Sequence, residues 1–352
     1  MRGARAAPMS DQNQSSPIDE PFDLEHEPLD KPRLFNIDWG GDGSDLNRPV
    51  RAHVLAALRP AAGPFAPPLD ALLTLGDVDD EILEQRAAEL GIGKAHVPEL
   101  LRIVRDRALV TMEGDDPAAW APMHALHLLK NLDISQVVAE LIPLFDLDFD
   151  RTTDELIDIV VTVGVPALPP TAAYLHDRTR WAWGRVRAAD VLQKIAEQHP
   201  ETREHVIATL SQILEGAEND HEQAVTGAMV ALIELKAADT LPLIRRAFEL
   251  GKIDETVSGP WDDVLEEFGV APDPDDPLIE ESRQRFEEKN RRMFPQDLRE
   301  NLAAFQERHR ADKALAEQRA AAQKRNQDQA RKQKNKRKAA SAARKANRKK
   351  RK

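Results

Sequence analysis

The sequence predicts an all-α protein: a HEAT-like α-solenoid of stacked antiparallel helical hairpins, with a disordered N-terminus and a basic C-terminal tail. Three observations lead there. Apolar residues recur at three- and four-residue steps through most of residues 50–270, the spacing that lays one apolar stripe along a helix. Connections between these stretches run to two to seven residues, short enough to make successive helices antiparallel neighbours. Helix ends fall near Leu132, Gly164, Gln198 and Lys236, steps of about 32 to 38 residues, the period of hairpins that cannot bury a face alone.

Residues 1–48 mix Pro, Asp, Gln, Ser and Gly with few apolar side chains, too little to offset the entropy of ordering, so a disordered segment is expected. Within it Leu34, Phe35, Ile37 and Trp39 form an apolar patch suited to cap the open end of a repeat stack. Met9 opens a more ordinary start than Met1, so Met1 to Pro8 reads as an upstream extension. The repeat domain is expected over 49–270. It begins with helical periodicity at Val50–Leu58, pauses at the Pro-rich AAGPFAPPL, and resumes at Leu69–Leu75. Asp79 is placed to cap a helix over Glu81–Leu90, which Gly91 ends by accepting a left-handed conformation. A further amphipathic segment runs over His96–Arg105.

From Ala119 the pattern is regular. Helices are predicted over Ala119–Leu132, Ser135–Phe145, Thr153–Val163, Pro166–Leu175, Trp181–Gln198, Glu201–Glu215, His221–Leu235 and Asp239–Leu250. Thr152 to Glu155 has the pattern of a capping box, with Glu155 placed to reach back. The APDPDDP run after Val270 breaks the pattern and opens a linker and helical extension over 271–323, with helix at Leu278–Phe294 and again from Gln296. Beyond it, 324–352 holds only small, polar and basic residues and is expected to be a disordered tail.

Several units carry HEAT-like detail. Asp177 followed by Val186-Arg187, Ala188-Ala189, Leu192 and Ile195 resembles the second half of a HEAT repeat. Gly164 to Pro169 and Asp239 to Ile244 each resemble the proline-bearing start of a repeat helix, where the missing amide is not needed. Across roughly residues 69–270 the segment order resembles a family of bacterial HEAT-like proteins of undefined function. The resemblance rests on Leu75-Gly76-Asp77, Leu90 to Gly93 with His96 to Leu100, Trp120 to Ala125, and Ile253 to Thr256 with Gly259 to Val264. Some members end in a Cys-rich zinc module. This chain has no cysteine, so that module's targeting does not carry over, and disulfides, thiol catalysis and thiolate zinc sites are excluded.

Charge is unevenly spread. The 352 residues carry a net charge of −12, yet residues 311–352 hold seventeen Lys and Arg against three acids, leaving −26 on residues 1–310. An acidic body with a basic tail points to polyanion binding by the tail, RNA or ribosomal surface, through Lys336, Arg337, Lys338, Arg348, Lys349, Lys350, Arg351 and Lys352. HEAT-repeat DNA glycosylases make a lyase a reading to weigh, but residues 51–270 sum to −19, which opposes binding of duplex DNA by the body. No run of 18 apolar residues and no hydrophobic N-terminal signal is present, so a cytoplasmic protein without a membrane partner is expected.

No cofactor and no catalytic set is predicted. His124 and His127, with His176, His199 and His205, have no acidic residue at a recognised ligand spacing, and read as core and surface histidines. Asp146, Asp148, Asp150, Asp154, Glu155 and Asp158 lack the glycine and distal glutamate of a calcium loop and read as a solvated acidic face. Residues 151–200 are the one fifty-residue block of the body without net negative charge, and Trp181 and Trp183 sit among its arginines. The expected protein-binding patch is therefore His176, Arg178, Arg180, Trp181 and Arg185, facing a partner not yet identified. The structural alternative packs one Trp between repeats while Arg187 bonds turn carbonyls or Asp177.

Overall fold

A computed structural model describes residues 48–60, 64–147 and 153–293. The chain divides into two compact units, residues 1–274 and 275–352, at a boundary inside the APDPDDP run. Among the described residues the protein is helical, with an isolated parallel bridge between Arg59 and Asp106.

The first unit opens with α1 (Arg51–Ala57), whose last carbonyls are capped from a distance: the Arg105 guanidinium donates to Ala57 O at 2.9 Å and Ala56 O at 3.2 Å. The stretch 69–75, expected to be helical, forms a 3-10 turn over Leu69–Thr74. Then α2 (Asp80–Glu89) follows Asp79 as expected, although the Asp79 side chain makes no capping bond. Its end is the predicted one, with Gly91 at φ 68° and Ile92 N donating back to Ala87 O at 2.8 Å. After it come α3 (Val97–Val104) and α4 (Arg107–Val110). The four-residue α4, too short for periodicity to reveal, is capped by Asp106, which accepts from Ala108 N and Leu109 N. Helix α5 (Ala121–Lys130) packs on α3.

The expected helix over Ser135–Phe145 is instead two 3-10 turns, Val138–Glu140 and Ile142–Asp146. Asp133 takes the Ser135 amide and hydroxyl, and Pro143 has no amide with which to continue an α-helical ladder.

The remaining helices are regular: α6 (Thr153–Val163), α7 (Leu168–His176), α8 (Ala182–Gln198), α9 (Arg203–Glu215), α10 (Glu222–Glu234) and α11 (Leu241–Glu249), then α12 (Glu255–Ser258) and α13 (Trp261–Glu267). The bounds of α6 coincide with those expected; Thr152 of the expected capping box lies outside the described residues, and Glu155 stands 3.5 Å from His127. Between Asp154–Val163 and Val165–His176 the axis turns by 111° at Gly164, whose φ of 71° suits a residue without Cβ. Helix α8 is the hub: it packs on α6 and α10 to either side, on α7 before it and on α9 after it. Its buried face, Ala188, Ala189, Val191, Leu192, Ile195 and Ala196, is the stripe the sequence predicts from Ala189 onward.

The second unit contributes α14 (Pro277–Met293), whose first turn is capped by Asp276 accepting from Leu278 N. The apolar patch at 34–39, the extension from Gln296 and the basic tail lie outside the described residues. No single helix among the described residues is long and apolar enough to cross a membrane.

Candidate functional site

The five residues expected to meet a partner do not form one exposed patch. Trp181 is only 6% exposed and Arg185 1%. Both belong to the interior, and the expectation that they face a partner is corrected on that ground. Arg185 donates to Leu175 O at 2.6 Å and forms a two-armed pair with Asp220, Nη1 to Oδ1 at 2.5 Å and Nη2 to Oδ2 at 2.8 Å. Such a fork matches a carboxylate in geometry as well as charge. Burial raises the Asp220 carboxyl's pKa, but the Arg185 hydrogen bonds and charge outweigh it and hold the group below the ordinary carboxylate value.

Arg180 is half-buried and spent in the same way. It donates to Asp146 at 2.7 Å and to Asp177 at 3.2 Å, while Tyr174 donates its hydroxyl to Asp146 at 2.8 Å. Burial, then the Asp146 charge, pushes the Tyr174 phenol well above its ordinary pKa, so it stays a donor. Arg187 donates to the Phe145 and Leu147 carbonyls at 3.0 and 2.8 Å and lies over the Trp181 ring. Of the five, only His176 and Arg178 are exposed. Arg178 shares Asp220 at 3.4 Å, and partial desolvation together with the Arg185 charge lowers the His176 pKa, leaving an uncharged ring at neutral pH. The arginines of 151–200 are thus mostly neutralised by acids and carbonyls from neighbouring units. The tail residues Lys336, Arg337, Lys338, Arg348, Lys349, Lys350, Arg351 and Lys352 lie outside the described residues.

What the molecule does expose is a groove on the other side of α8. It has a volume of about 320 Å³ and runs along the line where α8 and α10 meet, with Ile157 of α6 and Val257 of α12 at its flanks. From α8 come Trp183, Val186, Arg187, Asp190 and Gln193; from α10 come Gln223, Thr226, Gly227, Val230, Ala231 and Glu234. Each set steps by three or four residues, so each is one stripe of its helix. Trp183 is 40% exposed and Val257 55%, large apolar groups left partly in water. The helices approach closely because position 227 has no side chain: a Cβ there would stand 3.0 Å from Val186 Cγ2.

The sequence put Trp181 in the partner-facing patch; the structure buries Trp181 and leaves Trp183 half-exposed. Trp181 immediately precedes α8 and folds inward, whereas Trp183 starts the groove stripe. The α10 side was missed altogether. Its one sequence signal is the step Gln223, Gly227, Val230, Glu234, which reads as an ordinary mixed helix face until α8 is beside it.

No family model, curated protein or solved structure matches this chain.

Proposed function

We propose that residues 49–270 form a HEAT-like α-solenoid that acts as a non-enzymatic docking platform for protein, with the α8–α10 groove as its docking surface. The observation that carries this reading is the groove itself: an apolar trough rimmed by a half-exposed tryptophan, the residue type that most often anchors a protein interface. The solenoid part rests on the spacing of the polar contacts that join one helix pair to the next. Arg105 with Glu140, Arg180 with Asp146, Arg185 with Asp220, Gln223 with Asp254, Arg203 with Leu235 O and Lys252 with Asp220 O are separated by 35, 34, 35, 31, 32 and 32 residues. Other tertiary bonds span from 28 to 49 residues, so a step near 33 recurs without being the sole spacing, as stacked units of unequal length produce.

Site-specific photo-crosslinking tests the platform. A benzoylphenylalanine placed at Val257 or the half-buried Val230 should capture a discrete protein from cells, and one at the exposed Ala208 of α9 should not. Equal capture at all three sites, or none at the groove, removes the reading.

A second activity is favoured by the charge division alone. The tail, with its dense Lys and Arg and no aromatic residue from 311 onward, suits weak, sequence-independent binding of RNA or a ribosomal surface by counterion release. Deleting 324–352 should abolish RNA retention at low salt; unchanged retention refutes it.

A further inference from the structure

The groove also carries information about the shape and charge of what fills it. Val186 lies against Gly227, and Arg185 at the start of α8 bonds Asp220 just before α10, so the two helices run side by side in the same direction. The offset that sets Val186 against Gly227 brings Gln193 beside Glu234. The two stripes therefore bound a straight valley, and the ten-residue step from Trp183 to Gln193 spans about 15 Å at the rise of an α-helix.

The two ends of that valley differ. At the end where both helices begin, Trp183 and Val257 present apolar surface. At the end where they run toward their C-termini stand Asp190 and Glu234, and Glu234 is the final residue of α10, where the helix dipole adds partial negative charge. Lys194 offsets Asp190, at 2.9 Å, but Glu234 is exposed. The guanidinium in the groove, Arg187, is held by two backbone carbonyls and stacked on Trp181. One end thus favours an apolar anchor and the other a cation.

The walls also decide the backbone. No strand among the described residues borders the valley, so an extended peptide would bring unpaired amides and carbonyls against valine and tryptophan. A helix satisfies its own backbone and presents side chains at i, i+3, i+4 and i+7, the spacing that fits the ridge pattern of a two-helix valley. We infer that the α8–α10 groove receives an amphipathic helix of a partner protein, about three turns long, with apolar anchors at the Trp183 end and a Lys or Arg at the Glu234 end. This inference rests on the docking-platform reading and specifies the partner's chemistry.

The test is a selection of displayed amphipathic helices of about 14 residues on the full-length chain, followed by anisotropy titration of the enriched peptides. Enriched helices should carry a Lys or Arg at one end. Trp183→Ala should weaken them at least about tenfold, and Glu234→Lys, a surface change that leaves the fold intact, should reverse the preference from basic-ended to acidic-ended helices. Four results overturn the inference: no enrichment, enrichment without charge preference, affinity indifferent to both substitutions, or displacement of the peptides by a synthetic copy of residues 324–352, which would make the chain its own occupant. Discrete crosslinking at Val257 without helix binding would sink this inference alone; failure of both experiments would remove the docking platform as well.

Discussion

Trp183 and Arg185 are two residues apart on α8, and the roughly 200° between them separates two kinds of surface. On the Arg185 side charge is paired: the guanidinium meets the Asp220 carboxylate and the Leu175 carbonyl, and both side chains are almost wholly withdrawn from water. On the Trp183 side the same helix offers a half-exposed indole and an acidic end over a trough. Trp and Arg in one short segment thus have opposite uses according to helical phase. A face that holds units together is recognisable by paired charge, and a face kept for a partner by apolar surface left in water.

The sharpest way to break this contrast is to remove one half of the buried pair. Arg185→Ala leaves Asp220 nearly sealed from solvent with only the half-exposed Arg178 and the His221 amide as partners, and should cost about 3 kcal/mol, measured by urea denaturation. Replacing both partners by apolar residues, Arg185→Met with Asp220→Leu, should recover most of that loss, since no bare charge then remains. A double mutant no more stable than Arg185→Ala would mean that shape rather than charge pairing holds the joint. Trp181→Ala belongs to the same class, at about 3–5 kcal/mol for a buried tryptophan.

Next in size is the spacing on the joint side of α8. A Cβ at Gly184 would run into the Tyr174 hydroxyl and stand 2.7 Å from the Phe145 carbonyl. The tyrosine would have to release Asp146, so Gly184→Ala should cost about 1–3 kcal/mol in the same denaturation measurement.

Much of this architecture was legible in the sequence because helices announce themselves locally. The Thr153–Val163 helix, the end at Gly91 and the start of α10 after His221 all followed from periodicity and from residues suited to helix termini. Ser135–Phe145 did not, since its apolar spacing imitates a helix while Pro143 and the Asp133 turn deny it the amides. The site was harder for a different reason. Counting charge in consecutive blocks made 151–200 stand out as the block without net negative charge, but the partners of Arg180 and Arg185 are Asp146 and Asp220, both outside that block. A contact about 34 residues long in sequence is invisible to a local count. The groove was hidden likewise, being shared between two stripes 40 residues apart.

Acid separates two buried groups that the groove lacks. The folded pKa of His124 is lowered by burial, which outweighs the opposing pull of the Leu72 backbone and of Asp77 and Asp80. Its neutral form is favoured in the fold, so the associated stability is present above the unfolded histidine value of about 6.5 and is lost as pH falls toward the lower folded value. Asp220, also lowered, contributes stability present above the ordinary Asp value of about 3.9 and lost below it. Stability measured against pH should therefore fall in two steps on acidification, with His124→Leu shrinking the upper step, which His176 and His221 share, and the Arg185→Met, Asp220→Leu pair shrinking the lower, which Asp177 and Asp133 share. A single step in wild type, unchanged by His124→Leu, would contradict the assignment.

The smallest effect is the most informative about the groove. Glu234 is exposed at the last residue of α10, where the helix dipole favours a cation. Glu234→Lys should accordingly change stability by no more than about 0.5 kcal/mol, with any change in the stabilising direction, and should do so without moving either acid step. Trp183→Ala sits between the extremes, because a tryptophan 40% exposed has already surrendered part of its burial and should cost no more than about 2 kcal/mol when truncated. If Trp183→Ala destabilises the protein as severely as Arg185→Ala, the two sides of α8 are one packed core, and the division of labour between Trp183 and Arg185 does not hold. If it melts close to wild type, the indole is kept at the surface for something other than stability, because a folded chain gains nothing from leaving that much apolar area in water.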